Sequence, residues 1–86
     1  MISRELELRN AGGLHARPAT FFAETAAKFE AVVTVKFKDK QADGKRVIGL
    51  MRLGAKQGDS VTIVADGADE AEAIESLAGF LAHIDG

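Results

Sequence analysis

Apolar and polar residues alternate over residues 2–9, with Ile2, Arg4, Leu6 and Leu8 on one face and Ser3, Glu5, Glu7 and Arg9 on the other. A period of two predicts a strand with one face buried and the other in water. The alternation returns at Val33, Val35 and Phe37, interleaved with Val32, Thr34 and Lys36. Residues 38–44 carry turn residues and a short, polar third strand. Residues 60–65 form a fourth, after the turn signal Gly58-Asp59. Elsewhere the period becomes helical. Over residues 16–29, Ala19, Phe22, Ala23, Ala26 and Phe29 make one apolar stripe. Pro18 falls in the first turn of that helix, where a missing N–H costs little. A last helix begins at Asp69, with Glu72 three residues on as an aspartate variant of the capping box, and turns Ile74, Leu77, Ala78, Leu81 and Ile84 to the core. Residues 46–53 read as either helix or strand; the helix, adopted here, places Leu50 and Leu53 on one face. The order βαββαβα, with one solvated strand face, predicts an α+β fold. Its form is a two-layer open-faced sandwich, a four-stranded antiparallel sheet with three helices on one face.

Composition narrows the function. With 86 residues, the chain is expected to be a single domain, 1–86, around one core. The formal net charge is −2 with both signs scattered, which argues against a nucleic-acid partner. The absence of cysteine excludes disulfides, thiolate metal sites and thiol chemistry. Apolar runs are too short for membrane insertion and the N-terminus lacks a signal-peptide core, so a cytoplasmic protein is expected. Neither a P-loop nor a Gly-x-Gly-x-x-Gly is present, which leaves nucleotide binding unsupported. His83 lies on the polar side of the last helix without a second ligand nearby and reads as a surface residue. Glu5 and Glu7 read as a solvated strand face.

The chemistry concentrates in Gly12-Gly13-Leu14-His15-Ala16-Arg17-Pro18-Ala19-Thr20. If the helix starts at Ala16, His15 is its N-cap, and the unpaired N–H groups of Ala16 and Arg17 face outward in a field that favours an anion. Gly12 and Gly13 let the chain turn without crowding the imidazole. Arg17 adds a guanidinium fork suited to phosphate oxygens. A positive helix end disfavours an imidazolium, and a neutral imidazole is a competent nucleophile. These parts form a nucleophile with an anion cradle and no general base, suited to accepting a phosphoryl group and handing it on. On spacing alone, His15 as a plain polar residue at a helix start remains open.

That segment, with Lys28-Phe29, the Lys45…Gly49…Met51…Leu53-Gly54 stretch and Gly67-Ala68-Asp69-Glu70, closely resembles the HPr family. These are the histidine-containing phosphocarriers of the bacterial phosphoenolpyruvate-dependent sugar phosphotransferase system. The resemblance runs over essentially the whole chain. It implies that His15 accepts a phosphoryl group on Nδ1 from phosphorylated enzyme I and passes it to a histidine of the IIA domain of a sugar permease. Arg17 and Pro18 match the family's site arginine and proline. No bound cofactor or metal is implied, because the partners supply the catalytic groups and magnesium. A monomer is expected.

The pattern also marks a docking face. Arg17, Thr20, Phe21, Glu24 and Lys28 fall away from the core stripe of the first helix. Phe21 is a large ring on a polar face, for which strand-edge packing is the bland alternative. On a helical second segment, Val47, Ile48 and Met51 cluster apart from Leu50 and Leu53, flanked by Lys45, Arg46 and Arg52, a patch suited to acidic partners. The family docks enzyme I and IIA domains on this surface. Three departures stand out. Arg46 occupies the position of the regulatory serine of many Gram-positive members, while Ser3, Ser60 and Ser76 lie elsewhere. Glu24 is acidic where the family is often neutral or basic. Gly12 replaces a small polar residue. Two other roles stay open, a carrier in a nitrogen-related or regulatory phosphotransfer chain and a non-catalytic regulatory binding protein.

Overall fold

The computed structural model describes residues 1–83. Its elements are β1 (Ile2–Glu7), α1 (Ala16–Ala26), β2 (Val32–Phe37), β3 (Lys40–Asp43), α2 (Val47–Arg52), β4 (Ser60–Asp66) and α3 (Glu70–Ala82). The sheet order is β1-β4-β2-β3 with every neighbouring pair antiparallel. β1 and β2 therefore run the same way, joined by α1, with β4 slotted between them. β3 and β4 likewise run the same way, joined by α2, with β2 between them. Two split crossover units thus interlock, each holding open the place the other's strand fills.

Strand alternation decides which face the helices cover. Ala65 lies opposite Ile2 and Val33, Ile63 opposite Arg4 and Val35, and Val61 opposite Leu6. Val33, Val35, Val61, Ile63 and Ala65 are buried and meet Phe22 of α1, Leu50 of α2, and Ile74, Leu77 and Leu81 of α3 in one cluster. The opposite face carries Ser3, Glu5, Thr34, Lys36 and Thr62, with Val32 as its exposed apolar member. Arg4 sits on the core side of an edge strand, so its guanidinium reaches past the sheet to Glu75 of α3 at 3.0 Å.

The differences from the expected elements have local causes. β1 ends at Glu7, yet Leu8 stays fully buried because its N–H donates to Asp59 O at 2.8 Å and its carbonyl accepts from Gly58 N–H at 2.7 Å. α1 ends at Ala26, and Phe29 packs half-buried from the turn beyond it. Residues 46–53 are helical, with Arg46 as N-cap and Leu50 and Leu53 buried. Val47, three residues before Leu50, shares its side of the helix and packs against the core, so it stands apart from exposed Ile48 and Met51. Asp69 is the N-cap of α3 but forms no capping box. Its backbone, at φ −105° and ψ 27°, is not extended, and its carboxylate instead accepts from Glu30 N–H at 2.9 Å and Ala31 N–H at 2.8 Å. Glu70 closes the helix start, accepting from Gly67 N–H at 3.1 Å while its own N–H donates to Gly67 O at 3.2 Å. Ile84 lies outside the described residues.

Candidate functional site

The segment between β1 and α1 is built to present His15. Asn10, Ala11, Gly12 and Gly13 form a turn closed by Gly13 N–H donating to Asn10 O at 3.1 Å. Asparagine at the first position and glycine at the fourth are what such a turn favours. The Asn10 side chain closes it a second time, Nδ2 donating to Gly13 O at 2.8 Å. Gly13 has φ +59°, and a Cβ there would come within 2.6 Å of Ala55 O and Lys56 Cα, so the residue needs both glycine's conformational freedom and its lack of a side chain. Leu14 then anchors the loop, its side chain in the core and its N–H donating to Ala55 O at 3.1 Å.

His15 follows as the N-cap of α1, with extended backbone at φ −84° and ψ −172°, and it is exposed. Its carbonyl takes the first helical hydrogen bond, from Ala19 N–H at 3.0 Å. The N–H groups of Ala16 and Arg17 therefore precede the first internal partner of the helix, and Pro18 has none to satisfy. Pro18 is buried beneath the site, while Ala16 and Arg17 are exposed. The imidazole rests on Gly12, where a Cβ would collide with ring Cδ2 and lie 2.5 Å from Nε2. No carboxylate pairs with Arg17 among the described residues, so its guanidinium remains available to an anion beside His15.

A family model described as the PTS HPr component phosphorylation site matches residues 2–83. The chain belongs to the HPr family. Among curated relatives, the phosphocarrier protein HPr of Neisseria meningitidis serogroup A is 42% identical over 77 residues, which is 90% of this chain and 86% of that protein. A crystal structure of HPr from Thermoanaerobacter tengcongensis superposes with a TM-score of 0.92 at 40% identity, covering 95% of this chain and 92% of that one. The HPr-like protein Crh of Bacillus subtilis is also similar. Its crystal structure, described as a domain-swapped dimer, gives a TM-score of 0.77 at 38% identity over 95% of this chain and 94% of that one.

Within this HPr fold, α2 packs antiparallel to α1. Leu14 meets Ala55 just past the end of α2, and Lys45, just before α2, donates from Nζ to Phe29 O at 2.8 Å just past the end of α1. Arg52 therefore lies toward the His15 end of the helix pair. Lys28 and Lys45 lie toward the far end, roughly 16 Å away for an eleven-residue helix. The Lys45 ammonium is also held by a carbonyl there. Thr20 sits one turn from Ala16 and donates its hydroxyl to Ala16 O at 2.7 Å. Phe21 is 58% exposed and stacks on Phe80 of α3, with ring centroids 5.9 Å apart, rather than on a strand edge. Ile48 is 67% exposed and Met51 is exposed beside it. Arg46 faces Asp43, with Nε 3.8 Å from Oδ2, and the other oxygen of that carboxylate accepts from Lys45 N–H. His83 is exposed just after α3, its Nδ1 donating to Gly79 O at 2.8 Å. Among the described residues no three His, Asp or Glu side chains gather as a metal site, and no helix is long and apolar enough to cross a membrane.

Asn10, Asp43 and Phe80 escaped the sequence pattern. Asn10 and Asp43 act through turn chemistry, legible only as an asparagine or aspartate shortly before a helix. Phe80 was hidden because its partner, Phe21, is far away in sequence.

Proposed function

We propose that this chain is a phosphoryl carrier in which Nδ1 of His15 takes the phosphoryl group of phosphorylated enzyme I and gives it to a histidine of a IIA domain. The observation that carries the reading is the placement of His15. It is an exposed N-cap beside the first two amides of α1 and an arginine that pairs with no carboxylate among the described residues, inside a chain matched by the phosphorylation-site family over residues 2–83. The Nδ1 lone pair forms the new N–P bond as the donor's N–P bond breaks. The donor ring leaves with the electron pair of its former N–P bond. Each ring keeps its own remaining N–H throughout, so the exchange needs no general base. The amides of Ala16 and Arg17 and the Arg17 guanidinium meet the phosphoryl oxygens, while Pro18 fixes the first turn from below. A shallow, open cradle suits a group that must leave again.

Docking falls to the exposed side of the helix pair. Phe21, Ile48 and Met51 supply apolar contact, Thr20, Arg46 and Arg52 surround them, and Val47 contributes from the core margin. Lys28 and Lys45 stand at the outer edge of such a footprint. The likeness to Crh favours a regulatory binding role as a second reading. The two part in one experiment: incubation with phosphoenolpyruvate, magnesium and purified enzyme I, followed by intact mass. The carrier reading expects one acid-labile phosphoryl group in wild type and none in His15→Ala, with His83→Ala unaffected. Undiminished labelling of His15→Ala would refute it, and a wild type that is never labelled would favour the regulatory role.

A further inference from the structure

Asn10 is 5% exposed and is the buried polar residue of the described chain. Half of its amide has a partner, Nδ2 donating to Gly13 O at 2.8 Å, while Oδ1 is buried and accepts no hydrogen bond. A buried, half-satisfied amide is a poor way to fill a core, because an apolar side chain would avoid the desolvation. What an apolar residue could not supply is the donor to Gly13. That bond doubles the main-chain closure of the turn, Gly13 N–H to Asn10 O. The closed turn carries Gly12, the residue on which the imidazole lies without room for a Cβ. Beyond Gly13, Leu14 is pinned to Ala55 and His15 begins the helix, so little slack separates the turn from the ring.

We infer that Asn10 is a positioning residue for the His15 imidazole. Its side-chain bond to Gly13 holds the turn against which the ring rests, and thereby sets how fast the ring captures a phosphoryl group. The inference rests on the acceptor role proposed for His15, and Asn10 itself touches neither the phosphoryl group nor the partner. Removing the donor loosens the platform without altering the docking face, so the loss falls on kcat. A small displacement of a reacting nitrogen is expected to slow transfer about tenfold.

The test uses Asn10→Ala and Asn10→Asp, the latter nearly isosteric but with a carboxylate that cannot donate to Gly13 O. In the enzyme I reaction both should lose about tenfold in kcat while KM for the carrier stays within about twofold. In the free protein, nitrogen-detected NMR should show the His15 ring signals moved and broadened, with those of His83 unchanged. Leu8→Val, a packing change in the same segment, serves as the control for general destabilisation and should leave kcat and the ring signals in place. An Asn10→Ala protein that folds and keeps wild-type ring signals and kcat overturns the inference. So does an equal kcat loss in Leu8→Val. If the Asn10 variants do not fold, the wild type decides through the scalar coupling across the Nδ2–H···O=C bond to Gly13, whose absence would also overturn it. A wild type that takes no phosphoryl group would refute the acceptor role alone, and the ring signals would then judge Asn10.

Discussion

At Gly12 the imidazole of His15 occupies the space a Cβ would take. Gly12→Ala places a methyl group into Cδ2 of the imidazole, and the exposed ring can yield by turning away. The expected result is a folded protein with an unchanged urea midpoint and slower single-turnover transfer from enzyme I. Arg17 makes a parallel case. Its side chain is exposed, so Arg17→Ala should leave the fold intact. Loss of a charge-assisted contact, about 1.5–3 kcal/mol, should slow transfer roughly ten- to a hundredfold if felt fully in the transition state. Arg17→Lys should rescue it only in part, because an ammonium lacks the bidentate fork. Transfer rates at saturating enzyme I check both. The placement of His15 at the start of α1 is legible in the run from Gly12 to Thr20, because Pro18 marks a first helical turn, whereas its role comes from the family resemblance and not from the spacing. Asn10 is not legible, since a buried amide looks like any loop asparagine until its partner is seen.

At the scale of elements, the amphipathic stripes announced α1 and the strands, because burial of one face leaves a period that survives any detail of packing. α2 was harder, since six residues hold too few turns to set a period, and Val47 fell on the wrong side of the expected division. Two experiments test what the helices present. Phe21→Ala removes a ring that stacks on Phe80 while remaining largely in solvent. Phe21→Ala and Ile48→Ala should raise KM for the carrier in the enzyme I reaction with little change in unfolding midpoint. Unfolding without an effect on KM would return either side chain to the core. Arg46, the N-cap of α2, has no hydroxyl for a serine kinase and opposes the helix dipole, with Asp43 near enough to offset part of that charge. Incubated with ATP and the kinase of a serine-regulated relative, the wild type should remain unlabelled and Arg46→Ser should be labelled at residue 46. Serine phosphorylation of the wild type would show a different switch.

The whole molecule is tied together by carboxylates, one of which, Asp69, the residue pattern assigns instead to a capping box. Asp69 joins the start of α3 to the chain after α1, and the hydrogen bond from Glu30 N–H, with that from Ala31 N–H and the nearby Lys45 charge, holds its carboxyl below the usual value. The N-terminal ammonium, 2.9 Å from Glu70, does the same for that carboxyl, aided by Gly67 N–H. Groups with a depressed folded value bind more protons when unfolded. Their contribution is present above the ordinary carboxylate range, about 3.9–4.3, and is lost as pH falls through the folded values. Urea midpoints should therefore drop as pH descends below about 4. Asp69→Asn should lower the midpoint at neutral pH and flatten that descent. An unchanged slope would mean the clasp does not hold in solution.

The strand order also bears on how the protein is made. Among the described strands, only β2 and β3 pair with an immediate neighbour in the chain, and β1 waits for β4, which starts at Ser60. The loop before His15 waits as well, since Leu8 is tied to Gly58 and Asp59 and Leu14 to Ala55. Pairings this distant in sequence form late. A nascent chain halted on the ribosome before Ala55 thus carries His15 but not the platform that presents it. Whatever His15 does in the folded protein therefore depends on residues as far along the chain as Asp59.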